Sequence, residues 1–176
     1  DLTLVPADRV QAIRRSDFAG VELAGEVTLP IAWNRGFEAK PLYRREGSAA
    51  FVPTEEKLGG KAWQLVDGKQ NGTDKAPYYS LRDRPDRYLR GADITIAWPR
   101  KELPNAIKAG EKWLDAHITP GTLIAYVGLS PVYATLFSPG KGGHPVPGND
   151  HSKFATTQTG YFRFEWKEAV ATMSNE

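Results

Sequence analysis

The three histidines, His117, His144 and His151, have the widest chemical repertoire in this sequence. His144 and His151 share a Gly/Pro-rich loop with Asp150. A metal site there would need three or four convergent ligands. Two imidazoles in such a loop fall short of any zinc signature, so no metal ligand is assigned and a solvated loop is expected. His117 alternates with Trp113 and Asp115 along a strand-like pattern, which predicts a partly buried, hydrogen-bonded histidine. Covalent catalysis finds no candidate. The chain contains no cysteine, which excludes from it a thiolate nucleophile, a disulfide and a Cys-type metal site. Ser138 precedes Pro139 without a Gly-x-Ser-x-Gly elbow around it. Pro139-Gly140-Lys141-Gly142-Gly143 lacks the spacing and the following helix of a phosphate cradle. Asn71-Gly72-Thr73 fits the glycosylation pattern and reads as a loop. No cofactor is implied by any of these residues.

The elements that would position these groups are strands. Gly (17) and Pro (13) are frequent, which suits short strands and many turns better than a helical bundle. The formal net charge is +2, and no acidic or basic block marks a nucleic-acid surface. No apolar run is long enough to span a membrane. The length of 176 residues allows one domain or two small ones.

Residues 1–28 read as an N-terminal arm, with a short helical pattern at Asp8–Arg15. Residues 29–98 hold five to seven short apolar runs, which predict a small β-barrel or sandwich. Lys61–Val66 alternates and meets Asp67-Gly68, a hairpin signal. Trp33, Trp63, Tyr78, Tyr79 and Trp98 are expected to fill this small core; the other reading is a stacking shelf for a flat ligand. Residues 99–110, punctuated by Pro99, Pro104 and Gly110, read as a linker. Residues 111–176 then give strands at Lys112–Ile118, Leu123–Val127 and Val132–Ser138, and a fourth at Phe162–Trp166. The whole chain is therefore expected to be all-β.

Two resemblances follow from longer stretches. Tyr78-Tyr79-Ser80-Leu81-Arg82-Asp83 with Tyr88-Leu89-Arg90-Gly91-Ala92-Asp93-Ile94 resembles the closing segment of a bacterial SH3-like barrel. Lys112-Trp113-Leu114-Asp115, the run from Thr122 to Gly143, Thr157-Gln158-Thr159-Gly160-Tyr161-Phe162-Arg163-Phe164, and Lys167 through Met173 resemble, in order and spacing, the first half of the L,D-transpeptidase (YkuD-type) catalytic domain. Gln158 stands where that family has proline, and Glu168 where relatives often carry histidine.

The resemblance implies a peptidoglycan-remodelling transferase of the cell envelope or periplasm, secreted with its signal peptide removed. Such an enzyme attacks a stem peptide with cysteine, forms a thioester and passes the acyl group to an amine or water. The family's His and Cys motif falls beyond Glu176, so no catalytic residue is assigned and the chain alone is expected to be inactive. Tyr133, Ser138 and His144 are the positions that the resemblance turns toward substrate. A non-enzymatic cell-wall-binding or scaffold protein is the alternative. Half a sheet would leave an open edge and an uncovered apolar face. That predicts a complementing C-terminal chain or another protomer as partner, alongside the stem peptides.

Overall fold

The computed structural model describes residues 19–142, 146, 148, 153 and 156–164. The helical pattern at Asp8–Arg15 and the residues from Lys167 to Met173 lie outside them. Among the described residues the elements include eleven strands and a 3-10 turn at Gly91–Asp93. The strands are β1 (Val21–Glu22), β2 (Ile31–Asn34), β3 (Lys40–Glu46), β4 (Ala50–Leu58), β5 (Trp63–Asn71), β6 (Pro77–Leu81), β7 (Tyr88–Arg90), β8 (Ile94–Ala97), β9 (Lys112–His117), β10 (Thr122–Val127) and β11 (Ser130–Leu136). The chain is all-β, with two antiparallel sheets. One has the order β4-β3-β7-β6-β5-β2-β8 and the other β1-β11-β10-β9.

The seven-stranded sheet is rolled around its own core. Each of its strands contributes one side chain to a single cluster: Ala32, Leu42, Leu58, Val66, Leu81, Leu89 and Ile94. A flat sheet could not bring residues from its two outermost strands into one cluster. Aromatic rings seal one end, where Phe51 stacks on Tyr78 at 4.1 Å and meets Tyr88 edge-on at 4.9 Å.

β2 is buried at all four positions, because both of its faces are covered. Ala32 enters the rolled core, whereas Ile31 and Trp33 point the other way. There they join Leu29 and Ala97 against Ile124, Tyr126 and Ala134 of the second sheet and Val21 of β1. This second cluster is the contact between the sheets. Trp33 is wholly buried in it, and its indole N–H has no hydrogen-bond partner among the described residues. An unmet N–H costs about 1–3 kcal/mol, so area alone holds this ring in place. The five aromatics divide accordingly: Trp33 and Tyr78 are buried, Tyr79 is half-buried, and Trp63 and Trp98 stay partly exposed.

Three expectations are corrected. Asp67-Gly68 does not turn the chain, because β5 runs through it to Asn71. The pairing shifts between Val66↔Leu81 and Lys69↔Tyr79, which inserts one extra residue as a bulge. Asp67 serves that bulge by accepting a hydrogen bond from Arg82 Nε at 3.1 Å. The hairpin closes later, where Gly72 N donates to Ala76 O at 2.9 Å. Secondly, residues 161–164 form no strand, since no neighbour completes a ladder with them; residues 165 and 166 lie outside the described residues. Finally, the apolar inner face of the second sheet is not open. The outer side of β2 and β8 covers it, and β1 pairs with β11 through Val21↔Ala134 to cover one edge.

Candidate functional site

The second sheet is a meander whose alternation follows the sequence. Trp113, Asp115 and His117 lie on the inner side of β9, opposite Tyr126, Ile124 and Thr122 of β10. Trp113 stacks on Tyr126 at 4.5 Å with the rings 12° apart, and its Nε1–H donates to Gly128 O at 2.7 Å.

Asp115 is the charged centre of this face, with its side chain only 7% exposed. Arg100 holds it with two hydrogen bonds, Nε to Oδ2 at 2.6 Å and Nη2 to Oδ1 at 2.8 Å. His117 Nε2 lies 2.9 Å from Oδ2. Burial pushes the Asp115 carboxyl up, but the hydrogen bonds and charges of Arg100 and His117 outweigh it and hold the pKa at about 2. The carboxylate therefore stays ionised although it is buried. Arg100 is anchored twice, since its backbone N–H also donates to the Tyr126 hydroxyl at 3.0 Å. The half-buried, hydrogen-bonded His117 read from the sequence is present. Arg100, within the stretch read as a linker, is the partner that sequence reasoning missed.

The turn after β9 separates two hollows. Ile118, Thr119 and Pro120 line both. The smaller, about 290 Å³, adds Ala116, His117 and Thr159. The larger is a cleft of about 540 Å³ between the rolled sheet and the meander. Arg35, Phe37, Lys61 and Thr95 line one side; the turn to Gly121 and the run from Leu136 to Pro139 line the other.

The Arg35 wall of this cleft is built around Asn34. Its fully buried amide donates to Glu38 O (2.7 Å), Leu58 O (3.1 Å) and Gly59 O (3.0 Å), and its carbonyl accepts from Gly36 N (3.0 Å). One side chain thus joins the loop after β2 to the turn after β4. The two segments touch so closely that a Cβ on Gly60 would fall 1.9 Å from Phe37 O. Lys61 follows with φ 58°, donates from Nζ to Arg35 O at 2.8 Å, and sits 4.8 Å over the Phe37 ring. Phe37 itself is 88% exposed at the cleft mouth. The opposite wall is tied down by Thr95 Oγ1, which donates to Pro120 O at 2.6 Å, and by Phe137 N, which donates to Gly121 O at 2.9 Å.

The chemistry of the cleft is asymmetric. Arg35 and Lys61 are cations, its lining holds no carboxylate, and among the described residues neither cation is in an ion pair. The remaining surface is apolar, from Phe37, Ile118, Pro120, Leu136, Phe137 and Pro139, with hydroxyls from Thr95, Thr119 and Ser138. Such a lining can hold an extended chain by its apolar parts and an anionic group by its cations.

Of the positions expected to face substrate, Ser138 is exposed on the cleft wall. Tyr133 is elsewhere. It alternates away from the buried Ala134, and its hydroxyl lies over Gly20, where a Cβ would come within 2.1 Å. His144 lies outside the described residues, as do Asp150 and His151. Among the described residues no cluster of His, Asp and Glu is arranged to hold a metal. No helix of the described residues is long and apolar enough to cross a membrane. No protein family, no curated protein and no solved structure matches the chain.

Proposed function

We propose that this chain is a peptide-binding unit of a cell-envelope or periplasmic protein, and that its cleft takes an extended peptide bearing a free carboxylate, of the kind found in peptidoglycan stem peptides. The unmatched pair of cations, Arg35 and Lys61, on the rim of an apolar cleft carries the proposal. A rigid wall makes it effective: the Asn34 hydrogen bonds fix both cation-bearing segments before any ligand arrives, so little ordering cost falls on binding.

Titration of the protein with a soluble stem tetrapeptide by calorimetry tests this. Binding is expected, with at least a tenfold loss in the doubly reversed variant R35E/K61E and in a tetrapeptide whose terminal carboxylate is amidated. Equal binding by the wild type and the reversed variant, or no binding at millimolar peptide, overturns it.

The L,D-transpeptidase reading uses the same cleft, with the cysteine supplied from outside these 176 residues. What favours it is the meander: the first two of the four resembling segments form β9, β10 and β11 side by side. Tetrapeptide exchange catalysed by this cysteine-free chain alone would refute that assignment of the nucleophile.

A further inference from the structure

The outer strands of the two sheets are not equally protected. β4 carries Pro53 and the charged run Glu55-Glu56-Lys57, features that discourage another strand from adding to an edge. β1 is two residues long. β9 is longer and has no run of adjacent charges; its own charges are Lys112 at one end and Asp115, which faces inward and is neutralised by Arg100. It runs six residues without proline, pairs with β10 in unbroken register, and has no strand on its other side among the described residues.

The segment after Thr157 travels along this open edge. Gly140 N donates to Thr157 Oγ1 at 2.6 Å, which fixes where the segment starts. Thr159 shares the wall of the smaller hollow with Ala116 and His117. Four residues later, Arg163 Nη1 lies 3.5 Å from Glu111 Oε1. The segment thus advances four residues while β9 is traversed backwards by five or six. That is antiparallel travel within one or two residues of a regular ladder.

We propose that the free edge of β9 is a β-addition site whose occupant is this chain's own segment Thr159–Phe164, pairing antiparallel with Thr159 opposite His117 and Phe162 opposite Leu114. In that register the two-residue alternation of a strand puts Thr159, Tyr161 and Arg163 on the inner side with His117, Asp115 and Trp113. Phe162 and Phe164 then fall on the outer side with Leu114, and all three are exposed before pairing. Docking withdraws aromatic surface from water and satisfies the edge N–H and C=O groups in one step. It also sets Thr159 as a fixed wall of the hollow beside His117, so occupancy of the edge controls access to that ring.

The cysteine-free chain makes a clean disulfide test. Phe162→Cys is combined in turn with Lys112→Cys, Leu114→Cys and Ala116→Cys; all four positions are exposed. Directly opposed Cβ atoms lie about 4.5–5.5 Å apart and diagonal ones about 7–8 Å, beyond ordinary disulfide reach. Under mild oxidation the 114/162 pair is expected to close within one molecule at least tenfold faster than the other two. Equal rates at the three positions, a maximum elsewhere than 114, or disulfides formed between molecules each overturn the proposal. The last outcome would assign the edge to a second copy.

Discussion

Replacing Asn34 should damage both the fold and the cleft wall, by an amount that follows from its hydrogen bonds. An asparagine amide has two N–H donors, so the three carbonyls around Nδ2 share two good bonds, and Oδ1 accepts a third from Gly36 N. Asn34→Ala removes all three. At about 1 kcal/mol per net hydrogen bond the loss is about 3 kcal/mol. Only the bond to Leu58 O is fully buried; the others are partly exposed, where water can take over some of the lost contacts. The expected range is therefore about 2–3 kcal/mol. With a urea slope of roughly 2 kcal/mol/M, the unfolding midpoint falls by about 1–1.5 M. Asn34→Asp keeps the shape but points a carboxylate at three carbonyl oxygens. Its folded-state pKa must rise above the unfolded value, so the folded form holds the proton longer. The damage is then smallest below the unfolded pKa of roughly 4 and grows as pH rises toward the folded pKa. Urea titrations followed by tryptophan fluorescence at pH 4 and pH 7 measure both variants. A loss under about 1 kcal/mol for Asn34→Ala, or an Asn34→Asp variant milder than Asn34→Ala at pH 7, would refute this account of the wall.

Asp115 gives the opposite pH sign. Its folded pKa of about 2 lies below the ordinary 3.8, so its stabilisation is complete above about 3.8 and is lost as pH falls toward 2. The difference is worth about 2 kcal/mol. Asp115→Asn should lose about that much at pH 7 and flatten the wild-type decline in stability between pH 4 and pH 2, read from urea midpoints across that range. Trp113→Phe should keep much of the stacking on Tyr126 but lose the bond to Gly128 O. It should cost about 1 kcal/mol in the same assay, whereas Trp113→Ala costs about 3 kcal/mol or more.

Strand positions were legible because local pattern dictates them. Trp113, Asp115 and His117 alternate inward along β9 as their sequence implies. Asp67-Gly68 misled because the same dipeptide serves a hairpin turn or a bulge, and only the partner strand decides which. Four consecutive buried residues in β2 could not be divided between two cores from the sequence, since the division depends on pairing with β5 and β8, thirty or more residues away in each case. Arg100 has the composition of its neighbours Lys101 and Glu102, and nothing local marks it as the partner of a carboxylate on β9. Asn34, directly before Arg35-Gly36, reads as turn chemistry. Its long-range bonds to Leu58 O and Gly59 O are invisible until the rolled sheet brings that turn alongside. The cleft shared this fate, because its two walls come from residues 35–95 and 118–139.

The placement of the cleft follows from β2. One face of this strand closes the rolled core through Ala32, and the other forms the contact with the meander through Ile31 and Trp33. The next residue, Asn34, fixes the loop that carries Arg35 and Phe37, while Thr95, paired with Trp33 across β8, is tied to the turn at Pro120. Both walls of the cleft are therefore referred to the same strand. A ligand that bridges Arg35 and the Leu136–Pro139 wall would meet a spacing set by the packing of Trp33 against the second sheet. The two sheets must stay together for the cleft to exist, so binding there and docking of the sheets stabilise each other.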